Sequence, residues 1–298
     1  MTDIRPRRSA LYMPGSNARA LEKARTLPAD VLILDLEDAV APDAKAEARA
    51  QVCAALGQGG FGPREVAVRV NALDTPWGED DLAAVAAAAP DAILVPKVSS
   101  PEALAAIGLR LRRLRAPERV RVWAMIETAQ AILRADAIAG TAHDVDARLA
   151  CFVLGLNDLA RETRARQVPG RAPMLPWMMT ALAAARANGI DILDGVCNDL
   201  SDTAALRAEC LQARDGGFDG KTLIHPNQIA TANEVFSPSA EEVSEARLIA
   251  EAFDKPENAK KGAIALGGRM VERLHAEMAR RVLGLAEAIE ARQAGPSS

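Results

Sequence analysis

The stretch Val31-Leu-Ile-Leu-Asp-Leu-Glu-Asp38 sets four consecutive apolar residues directly before a carboxylate-rich turn. A strand that is apolar at successive positions is covered on both faces, and such strands belong to parallel sheets. The pattern recurs: apolar runs occupy Ser9–Met13, Val31–Leu34, Glu65–Val70, Ala92–Val95, Val120–Ile126, Leu149–Leu154, Ile190–Val196 and Lys221–Ile224. Longer stretches rich in Ala, Arg and Glu predict helices over Ala18–Thr26, Ala44–Leu56, Asp80–Ala89, Pro101–Leu114, Thr128–Ile138, Pro176–Asn188 and Ser201–Asp215. Eight strands alternating with helices predict an α/β protein built on one closed (β/α)8 TIM barrel. An open doubly wound sheet would want a glycine-rich phosphate loop after its first strand, and Met13-Pro-Gly-Ser16 is not G-x-G-x-x-G.

Beyond the eighth run, helices are expected over Ala240–Ala252 and Met270–Ala291. They are joined by Asp254–Leu266, whose Pro256, Gly262 and lysines read as a mobile linker. The expected division is a barrel over 1–254, then a linker and C-terminal helical lid over 255–298, with the final Gly-Pro-Ser-Ser frayed. Met270, Val271, Leu274, Met278, Val282, Leu285 and Ile289 recur at roughly helical spacing, a stripe that another surface has to cover, a second subunit foremost.

A length of 298 residues suits one barrel, and 49% hydrophobic with 26% charged residues is ordinary for a soluble globular chain. A net charge of −4 gives no electrostatic case for nucleic acid. No apolar run approaches the ~18 residues of a membrane helix, and no apolar region follows the N-terminal arginines as in a signal peptide. Cys53, Cys151, Cys197 and Cys210 form no C-x-x-C pair, which fits a reducing compartment and a cytoplasmic protein. With only His143, His225 and His275, a bound metal would rest on oxygen ligands, favouring Mg²⁺ or Mn²⁺ over zinc.

Barrel chemistry collects where strands end. Those positions read Pro14-Gly15, Glu37-Asp38, Arg69, Lys97, Glu127, Asp158, Asp194 and His225, a convergence of polar groups after apolar runs. Glu127 and Asp158 suit two hard ligands of Mg²⁺; helix caps or arginine partners explain them as well. Arg69, inside the β-run Ala67-Val-Arg-Val70, must be paired or point into a polar cavity. A structural pair with Glu37 or Asp38 is one outcome; binding a substrate carboxylate or enolate oxygen is the other. Lys97 suits an ion pair rather than a Schiff base, and His225, before Pro226, suits packing at the rim.

These residues fall in motifs. Arg8-Ser-Ala-Leu-Tyr-Met-Pro-Gly15, Leu34-Asp-Leu-Glu-Asp-Ala-Val40, Lys45 with Arg49, Val68-Arg-Val-Asn71, Val95-Pro-Lys97, Met125-Ile-Glu-Thr128 and Gly155-Leu-Asn-Asp-Leu159 run in order. Asp194-Gly-Val196, Gly217-Phe-Asp-Gly-Lys221, Ile224-His-Pro-Asn-Gln228 and Phe236-Ser-Pro238 continue them. From about residue 8 to 285 the chain resembles the citrate lyase beta-subunit-like family, which includes malyl-CoA and citramalyl-CoA lyases. The resemblance implies Mg²⁺ at Glu127 and Asp158, Arg69 facing the substrate, and Glu37 and Asp38 beside it. It also implies a lid acid given to a neighbouring subunit's site, in a trimer or a dimer of trimers. Gly267-Gly-Arg-Met-Val-Glu272 matches the lid turn, with Glu272 where the family usually has Asp. Pro176-Trp177 stands where relatives commonly carry Arg. Arg8, Arg19 and Lys23 are candidates for the CoA phosphates, although a solvated helix face explains the last two as well.

The implied activity is a carbon–carbon lyase that splits a malyl- or citramalyl-like acyl-CoA into an acyl-CoA and a 2-oxo acid such as glyoxylate, pyruvate or oxaloacetate. The alternatives are a hydroxyacyl-CoA thioesterase, an aldolase acting without CoA, a citrate lyase beta subunit acting on a carrier protein, and a catalytically lapsed ligand-binding barrel.

Overall fold

The computed structural model describes residues 4–294. Two compact units emerge, one of residues 7–234 and one of 235–298 with residues 1–6, described here as far as residues 4–294 allow. The first holds β1 (Ser9–Pro14), α1 (Ala18–Ala24), β2 (Val31–Asp35), α2 (Lys45–Gln58), β3 (Glu65–Arg69), α3 (Gly78–Ala88), β4 (Ala92–Val95) and α4 (Pro101–Arg113). It continues with β5 (Arg121–Ile126), α5 (Ala129–Leu133), α6 (Ala135–Gly140), β6 (Leu149–Leu154), α7 (Leu156–Thr163), α8 (Leu175–Ala187), β7 (Asp191–Asp194), α9 (Thr203–Gly216) and β8 (Gly220–Leu223). The eight strands are parallel and close through β1 against β8, so the expected barrel is present. The segment Thr128–Ile138 is two helices and not one, because Arg134 leaves helical backbone at φ −115°. A helix not expected, α7, stands directly after β6 and carries Asp158.

Side chains along a strand alternate between faces, so phase decides which ones fill the barrel. Ala10, Val31, Ile33, Ala67, Ala92, Leu94, Trp123, Met125, Cys151, Val153 and Leu193 form one buried cluster. Two residues further along the same faces come Tyr12 after Ala10, Asp35 after Ile33, Arg69 after Ala67 and Glu127 after Met125. The polar site is thus the top layer of the barrel interior, standing on an apolar column. At the opposite end Arg7 closes the column: its guanidinium lies over Trp123 (5.0 Å), bonds Glu65 through two nitrogens (2.7 and 2.8 Å) and also pairs with Asp191.

The second unit opens with α10 (Ile229–Val235), shared across the boundary, and contains α11 (Ala240–Asp254), β9 (Ala263–Leu266), β10 (Arg269–Glu272) and α12 (Arg273–Ala294). Ser239 caps α11 in a capping box with Glu242. Two expectations change here. The compact boundary falls before α11, not after it. The supposed linker and the start of the supposed last helix form an antiparallel hairpin, turned by Gly267 and Gly268 at φ 57° and 79°. Successive left-handed residues are what a two-residue hairpin turn requires, and glycine adopts them without steric penalty. Met270 and Val271 are therefore strand residues; Val271 is buried against Phe253 and Ala276, while Met270, Leu274 and Met278 stay exposed. The terminal Gly-Pro-Ser-Ser lies outside the described residues.

Candidate active site

Arg69 forks onto Asp35, its cross-strand neighbour in register: Nε to Oδ1 and Nη2 to Oδ2, both 2.7 Å. Its remaining nitrogen reaches Glu37 Oε2 at 2.8 Å and Asp38 Oδ2 at 3.4 Å, and its face stacks on Tyr12 at 4.8 Å. Burial alone would lower the arginine pKa, but the Asp35 carboxylate and its hydrogen bond more than reverse this, so Arg69 stays charged. Burial pushes the Tyr12 phenol up, and it stays neutral. Arg69 pairs with Glu37 and Asp38 as one reading expected, yet its chief partner is Asp35, and it also lines a cavity.

Glu127 follows β5 directly and is 1% exposed. The backbone N–H of Lys97 donates to its Oε1 at 2.6 Å, and Lys97 adopts left-handed backbone (φ 52°) to do so. Such a conformation in a residue with a Cβ costs on the order of 1 kcal/mol and persists where the surroundings impose it. A Cβ at Gly155 would sit 2.5 Å from both Cβ and Oε2 of Glu127, so only glycine admits the carboxylate there. Burial, then the nearby charge of Glu37, push Glu127 up to about 7. Glu37 is also raised by burial, with Arg69 pulling it back. Asp158 stands in the first turn of α7, part-exposed, with Arg161 at 2.5 Å.

Tyr12, Asp35, Asp38, Arg69, Glu127 and Asp158 line one cavity of about 320 Å³ together with apolar Met125, Leu154 and Ile224. Glu37 adjoins it through Arg69, and Lys97 Nζ lies 3.6 Å from Glu37. Around the mouth five carboxylates (Asp35, Glu37, Asp38, Glu127, Asp158) face three cations, Arg69, Lys97 and, on Asp158, Arg161, and Glu127 has no ion pair among the described residues. That imbalance, with hard oxygen donors and a buried carboxylate driven towards protonation, fits a divalent cation of the Mg²⁺ or Mn²⁺ type. Among the described residues no three or more His, Cys, Asp or Glu form a ready cage, so Glu127 and Asp158 would need water or substrate oxygens to complete the shell.

The other expected site residues are placed as follows. Arg8 precedes β1, at the opposite end of the barrel, buried in a fork onto Asp30 (2.8 and 2.9 Å); a CoA phosphate role does not fit it. Arg19 and Lys23 are exposed on α1, which begins on the mouth side, straight after β1. Asp194 does not join the mouth. It is one residue out of phase with Leu193, faces outward, and is fully buried against Arg171 and Lys221 (2.7 Å each). His225 is a cap, accepting from the N–H of Asn227 through Nδ1. Glu272 ends β10 in the second unit, partly exposed, its N–H donating to His275 Nδ1. Pro176 sits in the first turn of α8, with Trp177 half-buried beside it.

Sequence reasoning missed Tyr12 and Asp35, which sit inside their strands, not after them. The signal was available in the two-residue step from Ala10 and Ile33. It also missed Asn157 and Asn198, which line the cavity and exchange reciprocal amide hydrogen bonds of 3.1 and 2.8 Å.

A family model described as HpcH/HpaI aldolase/citrate lyase matches residues 8–226. The chain is 49% identical over 286 residues to a (3S)-malyl-CoA thioesterase of Cereibacter sphaeroides, covering 96% of each chain. It is 36% identical over 312 residues to the L-malyl-CoA/beta-methylmalyl-CoA lyase of the same species, again covering 96% of each. A crystal structure of CitE from Mycobacterium tuberculosis with magnesium, acetoacetate and coenzyme A superposes with TM-score 0.75 at 29% identity, over 95% of this chain and 98% of the other. All four cysteines are free, and among the described residues no helix is long and apolar enough to cross a membrane.

Proposed function

The chain belongs to the HpcH/HpaI aldolase/citrate lyase family, and from that premise we propose that it is a divalent-metal enzyme acting on a malyl-CoA-like thioester, with hydrolysis to the free hydroxy acid and CoA as its net reaction. The observation that carries this reading is the charged Arg69 fork in one cavity with Asp158 and with Glu127, which has no ion pair among the described residues and is pushed towards protonation. Such a substrate carries a hydroxy-carboxylate at one end and a thioester carbonyl two carbons away, so it needs a cation site and an oxyanion site side by side.

Glu127 and Asp158 would hold Mg²⁺, which supplies Lewis acidity to the hydroxy-carboxylate end. Arg69 would face the thioester oxygen. There it stabilises negative charge whether that charge is an enolate, after carbon–carbon cleavage, or a tetrahedral oxyanion, after attack by water. Glu37, buried and raised by that burial, would take the proton of the attacking water, with Asp38 beside it at the more exposed rim. The preference for hydrolysis rests on the higher identity to a thioesterase than to a lyase.

The second reading is the lyase itself, which uses the same Arg69 and adds Glu272 as the acid that protonates the carbanion. Its extra methylene relative to the family Asp shifts that acid by about 1 Å, a displacement that costs on the order of 10²-fold. One experiment separates the two. (3S)-Malyl-CoA is incubated with the protein and Mg²⁺ while free thiol and oxo acid are followed. Thiol without glyoxylate supports hydrolysis; glyoxylate with acetyl-CoA and no thiol replaces it with cleavage; neither product removes the substrate assignment and reopens the carrier-protein and lapsed-barrel alternatives.

We further propose a cytoplasmic homotrimer or hexamer in which Glu272 serves a neighbouring subunit. For carbon–carbon cleavage, the reaction that uses Glu272, mixing Arg69→Ala with Glu272→Ala protein under subunit exchange should then restore activity absent from either alone. A fully active monomer would exclude it.

A further inference from the structure

The segment Leu36–Val40, which carries Glu37 and Asp38, is gripped from two sides. On the cavity side the Asp35 carboxylate accepts from the N–H groups of Glu37 (2.9 Å) and Ala39 (3.1 Å). On the other side the Lys45 ammonium donates to the carbonyls of Leu36 (2.8 Å) and Glu37 (2.6 Å) and to Asn71 Oδ1 (2.8 Å). An ammonium has three donors, and all three are used. Asn71 repeats the grip, its Nδ2 donating to Leu36 O at 2.8 Å and to Asp81 at 2.6 Å.

Lys45 is 5% exposed, with the Trp77 ring 5.2 Å from its ammonium. Among the described residues no carboxylate lies within ion-pair distance of it. Burial pulls its pKa down, while the carboxylates of Asp35, Glu37, Asp81 and Asp38, beyond ion-pair distance, pull it back up, so its direct partners are neutral oxygens and a methionine of similar length would pack without the desolvation cost. What the charge adds is a hold on two converging peptide carbonyls, which would otherwise be buried with fewer donors. Arg49, one turn along the same face of α2, does a different job: its Nε pairs with Asp81 Oδ1 at 2.7 Å, tying α2 to α3 without touching the segment.

We infer that Lys45 is a positioning residue, its ammonium fixing the Leu36 and Glu37 peptide planes and thereby the place of the Glu37 carboxylate beside Arg69. The inference rests on the reading that Glu37 works in the site proposed above, and its test separates the two. Amide hydrogen exchange over residues 36–41 is measured in Lys45→Met and Arg49→Met proteins, together with kcat and KM for malyl-CoA at saturating Mg²⁺.

In Lys45→Met, exchange of that segment should quicken at least about tenfold while strands β2 and β3 keep their protection. Its kcat should fall about 10²-fold with KM changed by less than about threefold, the effect of a misplaced group and not of lost binding. Arg49→Met should lose thermal stability and keep kcat. Unchanged exchange over 36–41 in Lys45→Met, or an equal kcat loss in Arg49→Met, overturns the inference, since Lys45 would then only fasten α2. If Lys45→Met does not fold, Asn71→Ala, which removes a second donor to Leu36, should quicken the same amides by a smaller factor, and no change there overturns it too. A wild-type protein inactive on malyl-CoA would sink the substrate reading alone, because the exchange measurement is independent of it.

Discussion

The two ends of the barrel use the same residue types to opposite effect. At the N-terminal end Arg7 meets Glu65 and Asp191, and Arg8 meets Asp30, so each buried cation faces carboxylates aligned to take it. At the C-terminal end Arg69 is just as buried and as well forked, but the carboxylates outnumber the strand-end cations and one of them, Glu127, is pushed up to about 7. Buried charges that each find a partner hold a fold together; a buried carboxylate pushed towards protonation, as Glu127 is, is kept against stability, for the sake of something that binds there. The contrast separates Arg69 from Arg7 and Arg8, arginines that look alike in the sequence, each close to a β-run, and it can be broken or sharpened by measurement.

The largest expected effect is at Glu127. Glu127→Gln should reduce metal-dependent turnover on the order of 10³-fold or more. The metal-free protein should at the same time gain stability, on the order of 2 kcal/mol at pH 8, because the substitution removes a carboxylate that burial raises. Calorimetry in EDTA beside steady-state kinetics checks both, and a lower Tm for Glu127→Gln would break the contrast. Next comes Arg69→Lys, expected to lose about 10²- to 10³-fold in kcat/KM, since lysine keeps the charge and not the fork. Near-normal kinetics would move Arg69 to the class of Arg7 and Arg8.

At the other end, Asp30→Ala leaves Arg8 buried without its forked partner and should cost about 3 kcal/mol of stability, with kcat changed less than about twofold below the new Tm. Denaturant unfolding tests the first part; a large loss of kcat in folded protein would contradict the second. A smaller effect concerns pH. The Glu127 carboxyl holds a proton up to about 7 in the folded protein, and a cation requires it deprotonated. Divalent affinity should therefore fall as pH drops below 7, by about tenfold per unit, while the metal-free fold gains stability over the same descent towards pH 4.5. Titration with Mn²⁺ between pH 5.5 and 8.5 tests it, and a flat profile would remove Glu127 from the metal site. Smallest is Arg19→Glu on the exposed face of α1: KM for the CoA thioester should rise about threefold at low salt with kcat unaffected. An equal rise from Asp30→Ala would undo the separation of the two ends.

The barrel was legible because most strands are apolar runs recurring between helical stretches, and the expectation that Arg69, Glu127 and Asp158 meet at one mouth followed from polar residues standing at or beyond the ends of those runs. What was not legible was phase. Asp194 ends β7 as Glu127 follows β5, yet one residue of offset turns it outward into a buried salt bridge with Arg171 and Lys221. Arg8 was misread for a related reason: residues just before a strand and just after one lie at opposite ends of a barrel. The β9–β10 hairpin was hidden because Met270 and Val271 happen to continue the spacing of Leu274 and Met278, and four-residue strands are too short for their own period to compete. Lys45 and Asn71 could not be found from residue type alone, since what they hold is backbone.

Gly155 has a consequence for reading other barrels. A methyl group on its α-carbon would stand 2.5 Å from both the Cβ and a carboxylate oxygen of Glu127, so the smallest residue in the cavity is the one that cannot grow by a single methyl group. An alanine at that place in another chain of this architecture would mean that the acid had been moved or given up. One letter, the first after a Phe-Val-Leu run, would then sort barrels able to seat a divalent cation from those that fold the same way and do other work.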